Sequence, residues 1–229
     1  MNTNVIDEPK FKNKQFIFKD RVHAGELLAN KLRNYVNKIN VQLLAIPAGG
    51  VPVGYTVAKN FNFPFDVIIA RKIQIPWNTE AGFGAISYDG TVLLNERLIT
   101  QLGLTTEIVQ WCISQTRKII HERLKKFRGN KPFPELRKKT VILVDDGLAS
   151  GWTMLAAVKS VRKQSPAKIV VAVPTASTSA VELVAPTVDK LICLNIRSGP
   201  VFAVADAYQK WYDLADEEVV EILRKSWQL

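Results

Sequence analysis

Apolar positions along the chain fall into short β-branched runs separated by longer stretches of helical spacing, the pattern of a parallel sheet covered by helices. From Asp20 onward, Val22, Leu28, Leu32, Tyr35 and Ile39 recur at helical intervals and predict a first helix. "LLAIP" (Leu43 to Pro47) reads as a strand, "VPVGYTVAKN" as the helix after it, and "FDVIIARK" (Phe65 to Lys72) as a second buried strand. The segment "IQIPWNTEAGFGAISYDG" carries Pro, Asn and three glycines without helical periodicity. It predicts a long mobile loop or a hairpin, and loops of that length are often functional. "TVLLNERLI" predicts a further strand, and a long helix follows from about Thr105 to Phe127, closed by the breaker "GNKPFPE". "TVILVD", "AKIVVAVP" and "DKLICLN" complete the buried strands, with "WTMLAAVKSVRKQ" as an intervening helix. Internal repeats and low-complexity tracts are absent from the sequence.

Near-continuous apolar strands belong to a sheet buried on both faces. Open sheets of this kind bind ligands beyond the carboxyl ends of their strands. Three unusual loops leave those ends, "PAGGVP", "ARKIQIPWN" and "DDGLASGWT", and their convergence predicts an active site.

Composition narrows the class. A chain of 229 residues fits one domain of ordinary size, taken as residues 1–229, and 47% hydrophobic with 23% charged residues excludes a disordered chain. The net charge of +10 and pI near 9.6 favour anionic partners such as phosphates, nucleotides or nucleic acid. Cys112 and Cys193 lack metal-type spacing and read as reduced, buried thiols. The longest apolar stretch, "LLAIPAGGVPVGYTVA", is broken by Pro and Gly and too short to span a bilayer, and the N-terminus has no core of signal-peptide type. These features predict a cytoplasmic location without a membrane partner.

The stretch "DDGLASGWT" holds the most specific chemistry. Gly147, Ala149, Ser150 and Gly151 would expose backbone N–H groups at a helix start, where the helix dipole and the Ser150 and Thr153 hydroxyls suit a phosphate monoester. Without a Gly-Lys-Ser/Thr ending, this is no Walker loop. Asp145 and Asp146 would repel a phosphate set against them. They can accept hydrogen bonds from sugar hydroxyls nearby and help to hold a hydrated Mg²⁺. A ribose carrying a 5′-phosphate satisfies both halves of the motif; the plain alternative is a strand end with an aspartate cap and a glycine turn.

"VILVDDGLASG" resembles the phosphoribosyl-pyrophosphate (PRPP) binding motif of the type I phosphoribosyltransferases: hydrophobic strand, acidic pair, small-residue phosphate loop. The resemblance extends in order along the chain, to a branch called predicted phosphoribosyltransferases. "FKDRVHAGELLANKL" is similar to its opening helix, "LLAIPAGGVPVGYTVA" to its pyrophosphate loop, "ARKIQIPWNTEAGFGAI" to its basic pair and flexible loop, and "DEEVVEIL" to its closing helix. It covers roughly Phe18 to Leu223. It implies an α/β fold with a parallel-sheet core flanked by helices, a long flexible loop, and a small hood from about residues 1–40 and 196–229. It also implies a homodimer. The implied reaction is Mg²⁺-dependent transfer of a 5-phosphoribosyl group from PRPP to a nitrogenous, nucleobase-like acceptor, with release of pyrophosphate. No side-chain nucleophile is needed: cations stabilise the departing pyrophosphate while an oxocarbenium-like centre forms. The isolated His23 and His121 fit surface or packing roles.

The roles that follow are these. Asp145, Asp146 and Lys72 form the catalytic set, with the two aspartates also holding the metal through water. Gly147, Leu148, Ala149, Ser150, Gly151, Trp152 and Thr153 cradle the 5′-phosphate. Ala48, Gly49, Gly50, Arg71 and Lys72 face pyrophosphate, the glycines by permitting φ angles closed to other residues and exposing amides. Asn78, Glu80 and Tyr88 belong to a lid whose closure excludes water. Within the 5′-phosphate and pyrophosphate loops the chain departs from its relatives in three places: Ser150 stands where Thr is usual, Trp152 where a small residue is usual, and Ala48 where Arg is usual. Loss of that arginine would weaken pyrophosphate binding.

Two segments point elsewhere. From Arg117 to Lys139 the chain has ten Lys or Arg against two Glu, which reads as a solvated helix face or a nucleic-acid surface. Phe202, Tyr208, Trp211 and Tyr212 cluster after the last strand, where they could stack on an acceptor base or anchor the tail. There, Ala207 and Lys210 replace residues that are Trp and Asp in similar sequences. The competing functions are therefore a non-catalytic PRPP or nucleotide sensor that binds nucleic acid through its basic face, and a ribose-phosphate phosphohydrolase.

Overall fold

A computed structural model describes residues 4–35 and 40–227. The expected helical position Ile39 and parts of the expected hood lie outside them. The core strands are β1 (Val5–Ile6), β2 (Val41–Ala45), β3 (Phe65–Val67), β7 (Thr140–Val144), β8 (Lys168–Ser177) and β9 (Lys190–Arg197). They form a six-stranded, wholly parallel sheet in the order β1-β9-β8-β7-β2-β3. Alternate residues of each strand feed two apolar layers. Leu43, Ala45, Ile142 and Val144 face one layer, while Leu44, Val141, Leu143 and Val171 face the other. This arrangement explains the absence of a polar face in the strand sequences.

Helices α1 (Arg21–Leu32) and α2 (Gly50–Phe61) pack together, and α4 (Thr106–Arg128), α5 (Trp152–Arg162), α6 (Thr178–Val184) and α7 (Asp216–Ser226) complete the cover. Asp20 caps α1 by accepting from the His23 amide at 2.9 Å, and His23 Nδ1 accepts from the Lys19 amide, so this histidine shapes the turn into the helix. Val22 is half exposed and lies off the apolar face, which is carried instead by Ala24, Leu28 and Leu32. None of the helices among the described residues is long and apolar enough to cross a membrane.

Three expectations change. "FDVIIARK" is two strands: β3 ends at Val67, and β4 (Ala70–Ile75) starts a separate antiparallel sheet with β5 (Asn78–Ser87) and β6 (Val92–Leu94). A continuous apolar run cannot reveal such a break when both sheets are buried. Of the mobile loop or hairpin expected, the structure forms the hairpin, β4–β5, whose glycines and irregular register at Ile73 to Ile75 conceal the strand alternation. "TVLLNERLI" gives only the short β6, then helix α3 (Glu96–Gln101), capped by the Asn95 side chain.

Both cysteines are free and buried, and burial pushes the Cys193 thiol up to about 12. Native protein at pH 8 should therefore leave Cys193 unmodified by iodoacetamide, whereas denatured protein should be alkylated, as read by intact-mass spectrometry.

Candidate functional site

The site forms where β2 and β7, which pair in parallel from Val41 with Thr140 to Ala45 with Val144, end side by side. Strand β2 runs into the Pro47–Gly50 turn and α2, and β7 into Asp145, Asp146 and the loop before α5. The two turns interlock. A Cβ on Gly49 would fall inside the Asp146 carboxylate, and one on Gly50 would stand 2.9 Å from the Asp145 Cα. Glycine serves here by lacking a Cβ and not by an unusual φ, since Gly49 is helical at φ −62°, and the Gly50 amide, expected to face pyrophosphate, donates to the Ile46 carbonyl at 3.1 Å. The Pro47–Ala48 peptide bond is cis, and Ala48 is half-buried.

A cleft of about 330 Å³ opens here. Asp145 and the loop from Gly147 to Gly151 form one wall, together with Thr153 and Met154. The opposite wall is the hairpin, with Lys72, Glu80 and its glycines, and Val204 closes one side. The loop is anchored by Leu148, 3% exposed, whose amide donates to the Thr175 carbonyl at 3.0 Å while its own carbonyl accepts from Ser177 N. Leu148 is thus an anchor whose N–H is engaged, not a phosphate donor. The amides of Ala149, Ser150 and Gly151 donate to no protein acceptor among the described residues, and those of Trp152 and Thr153 head α5. Unpartnered amides at a helix start are the arrangement that binds an anion.

Gly151 caps α5 at φ +79°, with Val184 and Ala180 at 3.2 and 3.3 Å from where a Cβ would stand. Gly151→Ala should lower stability by about 1–2 kcal/mol, read as a fall in urea midpoint, since an L side chain pays that much for the left-handed region.

The two aspartates differ in role. Asp145 lines the cleft, and its Oδ1 accepts from the Asp146 amide at 2.9 Å. Burial, and then the adjacent Asp146 charge, hold the Asp145 carboxyl well above the usual carboxylate range. Asp146 turns instead to Arg21, with Oδ2 at 2.9 Å from Nε, and its backbone carbonyl accepts from the Tyr208 hydroxyl at 2.6 Å. Burial raises the Asp146 carboxyl too, with Arg21 opposing. The sequence reading missed Arg21: its partner lies 125 residues away, and nothing marks it among 31 basic residues.

Arg71 and Lys72 point to opposite faces of β4. Lys72 lines the cleft and donates from Nζ to the Glu80 carbonyl at 2.5 Å; Arg71 lines a separate groove against α4, beside Trp111 and Gln115. Arg71 therefore does not join Lys72. Of the expected lid, Glu80 reaches the cleft, Asn78 shapes the hairpin turn by accepting from the Glu80 and Ala81 amides, and Tyr88 is displaced. The Tyr88 ring stacks on Phe133 at 4.3 Å and its hydroxyl accepts from Gln164, fixing it in packing away from any lid. Trp152 is half-buried as the first residue of α5.

The aromatic cluster is divided among separate tasks. Tyr208 is 1% exposed and packs on Phe18, Phe202 lies 4.9 Å from the Arg197 guanidinium, and Trp211 covers Arg21 at 4.0 Å. Tyr208 therefore cannot stack on a base. The basic segment is also partly occupied. Arg123 and Lys126 pair with Asp216 and Glu217 on α7, Arg128 is buried against Asp66, and Lys131 lies over Trp227. Those four cations are engaged within the protein, Arg123 and Lys126 with α7, Arg128 with β3 and Lys131 with Trp227, and do not form a free phosphate-binding face.

Residues 19–207 match the phosphoribosyl transferase domain family. Two curated relatives from strains of Mycobacterium tuberculosis, each named "Putative phosphoribosyl transferase", are 33% identical over 210 residues, which is 92% of this chain and 47% of theirs. The chain thus spans about half the length of the curated relatives it matches. The crystal structure of TT1426 from Thermus thermophilus is similar with a TM-score of 0.73 and 31% identity, covering 91% of this chain and 98% of that one. The acidic pair, the amide loop and the interlocked glycine turn are thus found in a chain that belongs to the phosphoribosyl transferase family.

Proposed function

We propose that the protein transfers a 5-phosphoribosyl group from PRPP to a nitrogenous, nucleobase-like acceptor with release of pyrophosphate. One observation carries this reading: a single cleft joins the free amides of Ala149 to Gly151 to the Asp145 carboxyl and the Lys72 ammonium. The amides take the 5′-phosphate, Asp145 accepts from the ribose hydroxyls, and Lys72 faces the pyrophosphate. Rate enhancement then comes from positioning and from charge stabilisation of the leaving group.

The donor set fits a magnesium ion of a particular kind. No cluster of three metal-ligating side chains occurs among the described residues, and Asp146 is occupied by Arg21. Asp145, with one oxygen engaged by the Asp146 amide, could hold Mg²⁺ chiefly through water and the ligand's own phosphates, the usual habit of that ion. When bound, the ion would neutralise charge on the departing pyrophosphate.

Lys72→Ala should weaken PRPP binding about ten- to a hundredfold, the worth of a charge-assisted contact, and leave ribose 5-phosphate binding unchanged. The proposal itself is tested by screening nitrogenous bases with PRPP and Mg²⁺ for acceptor-dependent pyrophosphate release. Release that needs both an acceptor and Asp145 is expected. PRPP binding without release for any base would instead leave the protein as a sensor of that ligand.

A further inference from the structure

Adjacent carboxylates beside an anion-binding loop pose an electrostatic problem, because both would repel a ligand with several phosphates. The structure cancels one of them. Arg21, 7% exposed, places Nε 2.9 Å from Asp146 Oδ2, donates from its terminal nitrogen to the Tyr212 carbonyl at 2.9 Å, and lies 4.0 Å from the Trp211 ring and 5.8 Å from that of Tyr212. Gly49 leaves space for the Asp146 carboxylate in this orientation. The same guanidinium therefore pairs with Asp146 and holds residues 211–212, which are otherwise exposed; beyond it the Tyr212 hydroxyl donates to Glu218.

We infer that Arg21 is a positioning and charge-balancing residue for the acidic pair: it neutralises Asp146, turns it away from the cleft, and latches the 211–212 segment behind it, leaving Asp145 alone to meet the sugar. The inference deepens the transfer reading and rests on it only for the identity of the ligand.

Arginine suits both tasks because its planar fork can pair, donate and stack at once, whereas lysine supplies only a point charge. The two tasks can be separated by substitution. Arg21→Met should weaken binding of ribose 5-phosphate and of PRPP about tenfold or more, by leaving a second uncompensated negative charge beside the phosphates, and Arg21→Met/Asp146→Asn should restore most of the loss. Arg21→Lys should bind nearly as wild type. Hydrogen exchange in residues 209–214 should nevertheless be about tenfold faster in both Arg21→Lys and Trp211→Ala, without change in α1.

A double variant no better than Arg21→Met would overturn the charge role and make Asp146 a ligand contact. Unchanged exchange at 209–214 in Arg21→Lys and Trp211→Ala would overturn the latch. Should the wild type bind neither sugar phosphate, the transfer reading falls with the charge arm, and the exchange arm still decides the latch.

Discussion

Asp145→Asn is expected to make the unliganded protein more stable while removing most of its affinity for PRPP. The native Asp145 carboxyl is held above its ordinary range by burial and by Asp146. A group raised in this way favours the fold while protonated, below the ordinary carboxylate range, and that contribution is lost as pH rises through the native value. At neutral pH the wild type therefore carries a cost that asparagine lacks. The melting temperature of Asp145→Asn should exceed that of the wild type by an amount that is small near pH 4 and grows as pH rises. Each tenfold rise in proton affinity on folding corresponds to about 1.4 kcal/mol, and for a chain of this length roughly 2–4 °C accompanies each kcal/mol. Because Asn keeps an oxygen for the Asp146 amide, local geometry should survive. Loss of the charged acceptor should weaken PRPP binding by about 1.5–3 kcal/mol, or roughly ten- to a hundredfold. Thermal unfolding from pH 4 to 9 together with a PRPP titration measures both. A variant no more stable than the wild type across that range would show that Asp145 is not strained by its position.

Arg128→Ala should cause the largest loss of stability. Arg128 and Asp66 are 6% and 4% exposed and form a buried ion pair. The guanidinium also donates to the Pro132 carbonyl at 2.7 Å and lies over Phe133, while Asp66 accepts from the Val67 amide. One side chain thus fastens the end of α4 and the following loop to the edge strand β3. Removing it leaves a buried carboxylate without a counter-charge, which costs about 3–5 kcal/mol, against a total stability of about 5–15 kcal/mol. The melting temperature should fall by roughly 6–20 °C. The double replacement Arg128→Met/Asp66→Leu should recover most of this loss, since two apolar side chains avoid the desolvation of both charges. Urea unfolding of the two variants tests the argument: equal losses in both would mean that shape rather than charge sets the stability here.

How far the sequence could be read depended on how local each signal was. The β2 and β7 strands, α2, α4 and α5 follow from runs and periodicities within a few residues, and their bounds are close to those predicted. The loop from Gly147 to Gly151 was legible for the same reason, although Leu148, expected in the phosphate cradle, is its buried anchor. Pairings made across the chain were invisible. Arg21 meets Asp146 only because α1 packs beside the carboxyl end of the sheet, and Arg128 meets Asp66 only through the path of α4. Arg71 and Lys72 could have been separated by strand alternation had β4 been recognised as continuing past them. The hairpin could be named only beside a mobile loop, because its glycines and bulge erase that alternation. Tyr88 failed because its ring packs against Phe133, far along the chain.

The central claim is that the cleft grips a sugar phosphate at both ends, with the amides of Ala149 to Gly151 on one side and Lys72 on the other. Calorimetric titration with PRPP and with ribose 5-phosphate, each with and without Mg²⁺, tests it most directly. Tight, Mg²⁺-dependent binding of PRPP and much weaker binding of ribose 5-phosphate is the expected result, despite Ala48. Equal affinity for the two, indifferent to Mg²⁺, would contradict it, because only the 5′-phosphate loop would then be engaged.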